Sequence, residues 1–95
     1  MQRPRAKDSR FELGDHELGP GVEALQPDVL AKLLERHARG DWGDWVLDAA
    51  GKARANELAL RTGQPVISRY KIAAGRSVLI VTTGDRSRTV VTILE

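Results

Sequence analysis

The side chains best suited to chemistry in this chain are a histidine, a tyrosine and two arginines at widely separated positions. His37 lies near the end of a predicted helix, Tyr70 lies in a predicted strand, and Arg86 and Arg88 flank Ser87 in a polar turn. Histidine acts as a general acid or base near neutral pH, and a tyrosine hydroxyl can share that work. Arginine binds phosphate and stabilises its developing charge. His37, Tyr70, Arg86 and Arg88 are therefore the candidate catalytic residues, which could supply the acid, the base and the cation of a metal-independent reaction at a phosphate.

A second group of side chains is suited to binding rather than to bond cleavage. Two tryptophans lie in a glycine-containing loop, where they would offer an aromatic platform for a base or a peptide. Hydroxyls and a further arginine near the polar turn would hydrogen-bond a phosphate. The predicted binding residues are Trp42, Trp45, Asn56, Arg69, Asp85, Ser87 and Thr89.

Each of these assignments has a structural alternative. His37 falls on the apolar stripe of its helix, so it could instead be a buried, hydrogen-bonded histidine at the helix end. Trp42 and Trp45 could close one end of a small core. Asp85 could accept hydrogen bonds from its own turn. Asn56, a poor residue for a helix interior, could hold the tryptophan loop or line a site with His37.

Two helices must position His37 and Asn56. The first is predicted over residues 27–39, because Pro27 and Asp28 suit a first turn and Gly40 suits a stop. The second is predicted from Asp48, as N-cap, to about Thr62, with Gly63 ending it.

Four β-branched or alternating segments are predicted to be strands. A short edge strand is expected at Phe11–Leu13, followed after the helices by Val66–Ile72, Ser77–Thr83 and Thr89–Leu94. The segment Ser77–Thr83 is apolar on both faces, which predicts a central strand that is covered on both sides. The sequence therefore predicts an α+β domain: a short N-terminal strand, two helices and a three-stranded antiparallel β-meander. An open edge on Val66–Ile72 or Thr89–Leu94 would permit a homodimer through strand pairing.

Composition limits the classes of protein. The 95 residues form one domain, residues 11–95, preceded by a basic arm, residues 1–10, that we expect to be disordered. Cysteine is absent, no apolar run reaches membrane-spanning length, and no secretory signal is visible, so we expect a cytoplasmic protein without a membrane partner. The chain lacks a Walker loop, a dinucleotide fingerprint and a zinc pattern, so no cofactor and no metal are predicted.

Charge is distributed unevenly along the chain. Residues 11–63 carry six bases and ten acids, whereas residues 64–95 carry five bases and two acids. The basic C-terminal third would tolerate contact with phosphate and the acidic middle would not.

The order of short motifs resembles a family of small proteins from plasmids, integrative elements and phages. The most specific matching blocks are His37 with the segment 40–44, of sequence GDWGD, and the segment 85–89, of sequence DRSRT. The resemblance covers about residues 11–94, and the chain departs from the family pattern in its basic arm and in ending at Glu95. It implies a mobile-element setting and a shared fold, and it implies no established activity.

Two functions follow as hypotheses. In the first, the protein binds or cleaves RNA, because the order of its elements is similar to that of messenger-RNA interferase toxins and barnase-like nucleases. In the second, the protein is a non-catalytic interaction module that binds a host protein, such as an inhibitor of host defence or an accessory regulator. The loop tryptophans and the acidic stretch Glu12–Asp48 would then form the contact surface.

Overall fold

A computed structural model describes residues 9–73 and 75–94. Most of the predicted basic arm, residues 1–8, lies outside the described residues. Arg10 lies inside them, and its guanidinium forms two hydrogen bonds of 2.7 Å with Glu57. In chain order the elements are β1 (Asp15–Leu18), a short 3-10 helix (Val22–Ala24), α1 (Pro27–Ala38), α2 (Ala49–Thr62), β2 (Val66–Lys71), β3 (Ser77–Thr82) and β4 (Arg88–Leu94).

The four strands form one mixed sheet in the order β1-β4-β3-β2. The predicted antiparallel meander of β2, β3 and β4 is confirmed, and β1 adds to β4 in parallel. The predicted position of the first strand, Phe11–Leu13, is wrong. Phe11 is a buried core residue, and the strand begins only after Gly14, whose φ of 66° turns the chain toward β4. The main-chain N–H of Asp15 then donates to the carbonyl oxygen of Ser87.

Both helices end where their capping residues predict. The helix α1 begins at Pro27, and α2 is preceded by Asp48, whose carboxylate accepts a hydrogen bond from Gly51 N–H. Gly63, with a φ of 73°, ends α2 in the left-handed region. Neither helix, nor the short 3-10 helix of the described residues, is long and apolar enough to cross a bilayer.

The inner face of the sheet is covered by both helices and holds the core. One cluster packs Leu33 and Leu34 of α1 against Tyr70, Ile80 and other inward residues of the sheet. A second cluster joins Phe11, Trp42 and Ala59 of α2 to Val66. Strand alternation places every buried strand residue of these clusters on the same face.

The opposite face of the sheet, named here the outer face, carries the aliphatic side chains of Ile67, Leu79, Val81, Val90 and Leu94. The expectation that β3 is central is confirmed, and the expectation that it is covered on both sides is wrong. Both helices pack on the inner face, and none of these five residues belongs to either core cluster of the described chain. Ile67 is 38% exposed.

The two strand edges at which an opening would permit a homodimer are largely occupied. The strand β4 is interior, because β1 pairs with it. At β2, the Asn56 amide donates to Ile67 O and accepts from Ile67 N–H. Arg69 N–H donates to Trp42 O, and Arg69 O accepts from Asp44 N–H. A homodimer through strand pairing would therefore find the β2 edge occupied, and the β4 edge occupied along Arg88–Val91.

The loop that closes the β2 edge depends on Gly43. Its φ is 102°, and a Cβ at this position would collide with the main chain of Arg69. Only glycine fits such a close approach of two backbones. The short bridge between Gly43 and Arg69 results.

Candidate functional site

His37 lies in the interior, with both ring nitrogens hydrogen-bonded. Its side chain is 0% exposed. Nδ1 lies 2.6 Å from Ser68 Oγ, and Nε2 lies 2.9 Å from Thr82 Oγ1. The rings of Phe11 and Trp42 meet the imidazole edge-on, with centroids 5.2 and 6.1 Å away. This is the hydrogen-bonded histidine that the apolar stripe of α1 also allowed.

The hydrogen bonds of Thr82 and Thr89, which continue from His37, determine the tautomer of its ring. Thr89 donates its hydroxyl proton to Leu13 O at 2.6 Å, so the 2.7 Å contact between the two threonines uses the proton of Thr82. Thr82 Oγ1 must then accept from His37 Nε2–H, and His37 Nδ1 accepts from Ser68. Each donor in this series of hydrogen bonds then has one acceptor. The series is therefore complete when the imidazole of His37 is neutral.

The interior also disfavours the charged form of His37. Burial and, to a smaller extent, the positive charge of Arg86 together lower the pKa of His37 to about 3. The burial of the ring and its two hydrogen bonds match the structural alternative for His37, a hydrogen-bonded histidine inside the core.

Tyr70, the second predicted catalytic residue, is also 0% exposed. Its hydroxyl donates to Asp41 O at 2.6 Å, and burial raises the pKa of this hydroxyl. The guanidinium of Arg36 lies over its ring at 4.5 Å and binds the Asp41 carboxylate at 2.7 Å. Tyr70 therefore joins β2 to the loop after α1.

Arg86 and Arg88 have different roles in the same turn. The Arg86 guanidinium donates to three main-chain oxygens, those of Gln64, Thr83 and Ala59, at 2.9 to 3.2 Å. Its contact with Ala59 adds a charged donor to a carbonyl of α2 that already accepts from Gly63 N–H and Gln64 N–H, at the helix end where cations are favoured. Arg88 is exposed and lies 3.5 Å from Glu17. Of the four predicted catalytic residues, Arg88 alone is classed as exposed.

The remaining residues of the turn hold its shape. Asp85 accepts from Ser87 N–H, Ser87 Oγ and Thr83 Oγ1, and these hydrogen bonds lower the pKa of Asp85 to about 2. This is the turn-capping alternative considered for Asp85. Ser87 is exposed, and Thr89 is buried in the chain of hydroxyls that reaches His37. The structure thus brings Thr89 toward His37 and leaves Asp85 and Ser87 outside.

The other predicted binding residues are spread over the β2 side of the domain. Trp42 is buried, and its Nε1 donates to Glu57 at 3.3 Å. Asn56 is buried and bonds the main chain of Ile67, so it neither holds the tryptophan loop nor meets His37. Arg69 is half-buried, and strand alternation places it on the outer face. Trp45 is half-buried beside Lys52.

The segment after Trp45 presents apolar groups that the sequence reasoning missed. Val46 is 72% exposed and Leu47 is 79% exposed, more than any other large hydrophobic residue in the described chain. The sequence does contain one sign of this exposure: Val46 and Leu47 are adjacent apolar residues that fit neither a helical nor a strand periodicity. Ser68 and Thr82, which bind His37, were also missed, although alternation with Val66 and Tyr70 places the hydroxyl of Ser68 on the inner face.

The predicted acid–base residues His37 and Tyr70 are both buried, so they do not form a pair that is open to solvent. Nor do the residues that the structure describes bring together three side chains able to ligate a metal ion. Comparisons with known proteins found no matching family model, no similar curated protein and no similar solved structure. The resemblance to mobile-element proteins therefore stays a prediction.

Proposed function

We propose that the protein is a non-catalytic interaction module that contacts a partner protein through the segment Trp45–Leu47. One observation carries the proposal: Val46 and Leu47 extend their aliphatic side chains into solvent, at 72% and 79% exposure. Adjacent exposed hydrophobic residues beside a tryptophan are typical of contact sites. The residues expected to perform chemistry, His37 and Tyr70, are buried.

The segment is held at both ends, which favours binding. On one side, Asp44 N–H donates to Arg69 O, and the Asp44 carboxylate accepts from Lys71 N–H at 3.0 Å. On the other side, Asp48 caps α2 through its contact with Gly51. A segment ordered before binding loses less conformational entropy in the complex.

Trp45 is suited to anchor the contact. Lys52 Nζ lies 4.9 Å from the centroid of its ring. Its Nε1 is buried without a hydrogen-bond partner, which costs about 1–3 kcal/mol. Tryptophan is also among the residues that contribute most at protein interfaces.

The charge around the segment predicts the chemistry of the partner. Asp41, Asp44 and Asp48 surround the tryptophan loop in sequence, and residues 11–63 carry ten acids against six bases. An apolar centre with acidic neighbours suits a protein surface with an apolar pocket and a basic rim. An inhibitor or an accessory regulator, the expected alternative to a nuclease, would bind in this way.

The decisive experiment separates contact from catalysis. Tagged protein is used to capture partners from cells that express it, beside a variant with Val46→Asp and Leu47→Asp. The matched control is Leu58→Asp, because Leu58 is 52% exposed on α2, away from the segment in sequence. We expect the wild type and the control to capture the same protein and the double variant to lose it.

The endoribonuclease hypothesis is tested with the same preparations. Purified wild-type protein is incubated with total RNA in the presence of a chelator, and we expect no cleavage above the buffer. Cleavage that disappears in a folded His37→Gln variant would overturn the proposal. Capture of RNA instead of a protein would replace the proposed partner with a nucleic acid.

A further inference from the structure

The two edges of the sheet differ in what covers them. At the β2 edge, Asn56 and the loop 42–44 hold the main-chain groups of the strand. At the other edge, β1 pairs with β4 alone, and all four of its residues are exposed. None of the described residues hydrogen-bonds to the far side of β1. This side is an open strand edge, which can accept a further strand.

The register with β4 identifies the main-chain groups on this open edge. Asp15 N–H donates to Ser87 O, and Gly19 N–H also donates to β4, so the odd-numbered residues of β1 face β4. Successive residues of a strand turn their main-chain groups to opposite sides. The N–H and C=O groups of His16 and Leu18 therefore point away from β4, where they offer donors and acceptors to an added strand.

The side chains of β1 restrict which strand can be added. Asp15 and Glu17 share one face, because residues two apart in a strand point the same way. If β1 of a second copy paired antiparallel with this strand, the registers that pair His16 with His16 or Leu18 would place Glu17 opposite an acid. Like charges directly opposite each other destabilise a strand pair. The open edge therefore fits a strand with bases at alternate positions.

The chain itself carries such a segment, in the part of the basic arm outside the described residues. Arg3, Arg5 and Lys7 alternate with uncharged residues, so in an extended strand their side chains would share one face. Addition parallel to β1 can place Arg3 beside Asp15 and Arg5 beside Glu17. Opposite charges at facing positions of two strands attract each other.

The same register satisfies the main-chain groups of the open edge. The N–H groups of His16 and Leu18 would donate to main-chain oxygens of the arm, and their carbonyl oxygens would accept from Arg5 N–H and Lys7 N–H. Pro4 has no N–H, and in this register its nitrogen lies on the outer side of the added strand. Proline is tolerated at that position of an edge strand.

The arm that adds to β1 must come from a second copy of the chain. Arg10 is held on the β2 side, because its N–H donates to Ala38 O and its guanidinium binds Glu57 of α2, the helix that packs on β2. The strand β1 lies at the other edge, three strand spacings or about 14 Å away. The three residues from Lys7 to Arg10 span at most about 11 Å.

We propose that the basic arm of one copy adds as a fifth strand to β1 of a second copy, parallel to it, with Arg3 and Arg5 facing Asp15 and Glu17. The chain is then a homo-oligomer held together by its arm. An added strand of about five residues is a small contact, and its ion pairs are exposed, so the assembly dissociates on dilution.

The first experiment measures mass against concentration. Sedimentation equilibrium of the full chain, from about 10 μM to about 1 mM, should show an average mass that rises above 10.4 kDa. A variant with Arg3→Glu and Arg5→Glu should associate at least about tenfold more weakly, since its arm is repelled by β1. The matched control reverses two exposed bases of the helices, Lys32→Glu and Arg54→Glu, and should associate like the wild type.

The second experiment tests the pairing of charges. A variant with Asp15→Lys and Glu17→Lys should also associate at least about tenfold more weakly, because its basic arm meets a basic strand. An equimolar mixture of this variant with the one that carries Arg3→Glu and Arg5→Glu should recover association, since the acidic arm then meets the basic strand. Circular dichroism of each variant confirms that the fold is retained.

The third experiment tests whether the arm adds as a strand. His16→Pro removes one N–H from the open edge and leaves the groups that pair with β4 in place, so it should associate at least about tenfold more weakly with every arm and β1 charge retained. Hydrogen exchange of the wild type at about 10 μM and about 1 mM locates the added bonds. The amides expected to gain protection at the higher concentration are those of Arg5, Lys7, His16 and Leu18. The Glu17 amide faces β4 and should not change.

Several results would overturn the inference. A wild-type chain that stays monomeric at about 1 mM would do so, as would an arm variant that associates as strongly as the wild type. A mixture of the two charge variants that associates no better than its parts would contradict the pairing of the arm with β1. Normal association of His16→Pro would contradict strand addition. None of these results bears on the Trp45–Leu47 contact, so the two proposals fail separately.

Discussion

The inner and outer faces of the sheet use their residues in opposite ways. The inner face buries Ser68, Thr82 and Thr89 beneath the helices, where they form one hydrogen-bonded chain with His37. The outer face turns aliphatic side chains such as Val81 away from the helices. The hydroxyl and imidazole groups that could indicate a reaction site therefore lie in the interior, and the outer face carries aliphatic side chains beside charged ones. Whether a histidine or a threonine is functional depends on its solvent contact as much as on its type.

The largest expected effect comes from a substitution that disrupts the packing on the inner face. His37→Ala should lower the free energy of unfolding by about 3–5 kcal/mol, since it leaves a cavity and two buried hydroxyls that lose their partner. His16→Ala is the matched control, because His16 is exposed on β1 and its removal should cost less than about 0.5 kcal/mol. Urea denaturation measures both. Equal costs for the two histidines would contradict the assignment of His37 to the core.

The next effect distinguishes two arginines of one turn. Arg86→Ala should cost about 2–3 kcal/mol, because three main-chain carbonyls lose a charged donor. Arg88→Ala should cost less than about 0.5 kcal/mol, because its ion pair with Glu17 is exposed. Thermal and urea unfolding of both variants give the comparison. A larger loss of stability for Arg88→Ala than for Arg86→Ala would contradict the assignment of the structural role to Arg86.

A smaller effect appears on acidification. The folded-state pKa of His37 is about 3, below the ordinary value of about 6.5 in the unfolded chain. The unfolded state therefore takes up the proton, and stability falls as the pH drops below about 6.5. Between pH 7.5 and pH 5 we expect a loss of about 2 kcal/mol. His37→Gln, which cannot titrate, should lose this dependence, and a variant that keeps it would assign the effect to other groups.

The helices and the C-terminal strands could be predicted almost to the residue. Capping residues act locally, so Pro27, Asp48 and Gly63 mark the ends of α1 and α2 in the sequence itself. The first strand could not be placed in this way. Its position depends on Gly14 and on pairing with β4, which is distant in sequence, while the alternation at Phe11–Leu13 serves the core.

The burial and the hydrogen-bond partners of the candidate site residues were harder to predict than the helices and strands that carry them. Helical periodicity placed His37 on the apolar side of α1, and strand alternation shows which residues share a face of the sheet. Neither pattern reveals that both helices cover the same face, which leaves Leu79 and Val81 outside the core clusters. Nor does local sequence pair Thr82 with Thr89 or expose Leu47, because those facts arise from tertiary packing.

The most direct measurement of the central claim is the ionisation of His37 in the folded protein. Nuclear magnetic resonance of the imidazole nitrogens reports both the tautomer and the charge of the ring. The structure predicts a neutral ring with its proton on Nε2, unchanged from pH 7.5 to pH 5. An imidazole that titrates with an ordinary pKa near 6.5, in a chain that stays folded, would mean that His37 reaches solvent and is available for catalysis.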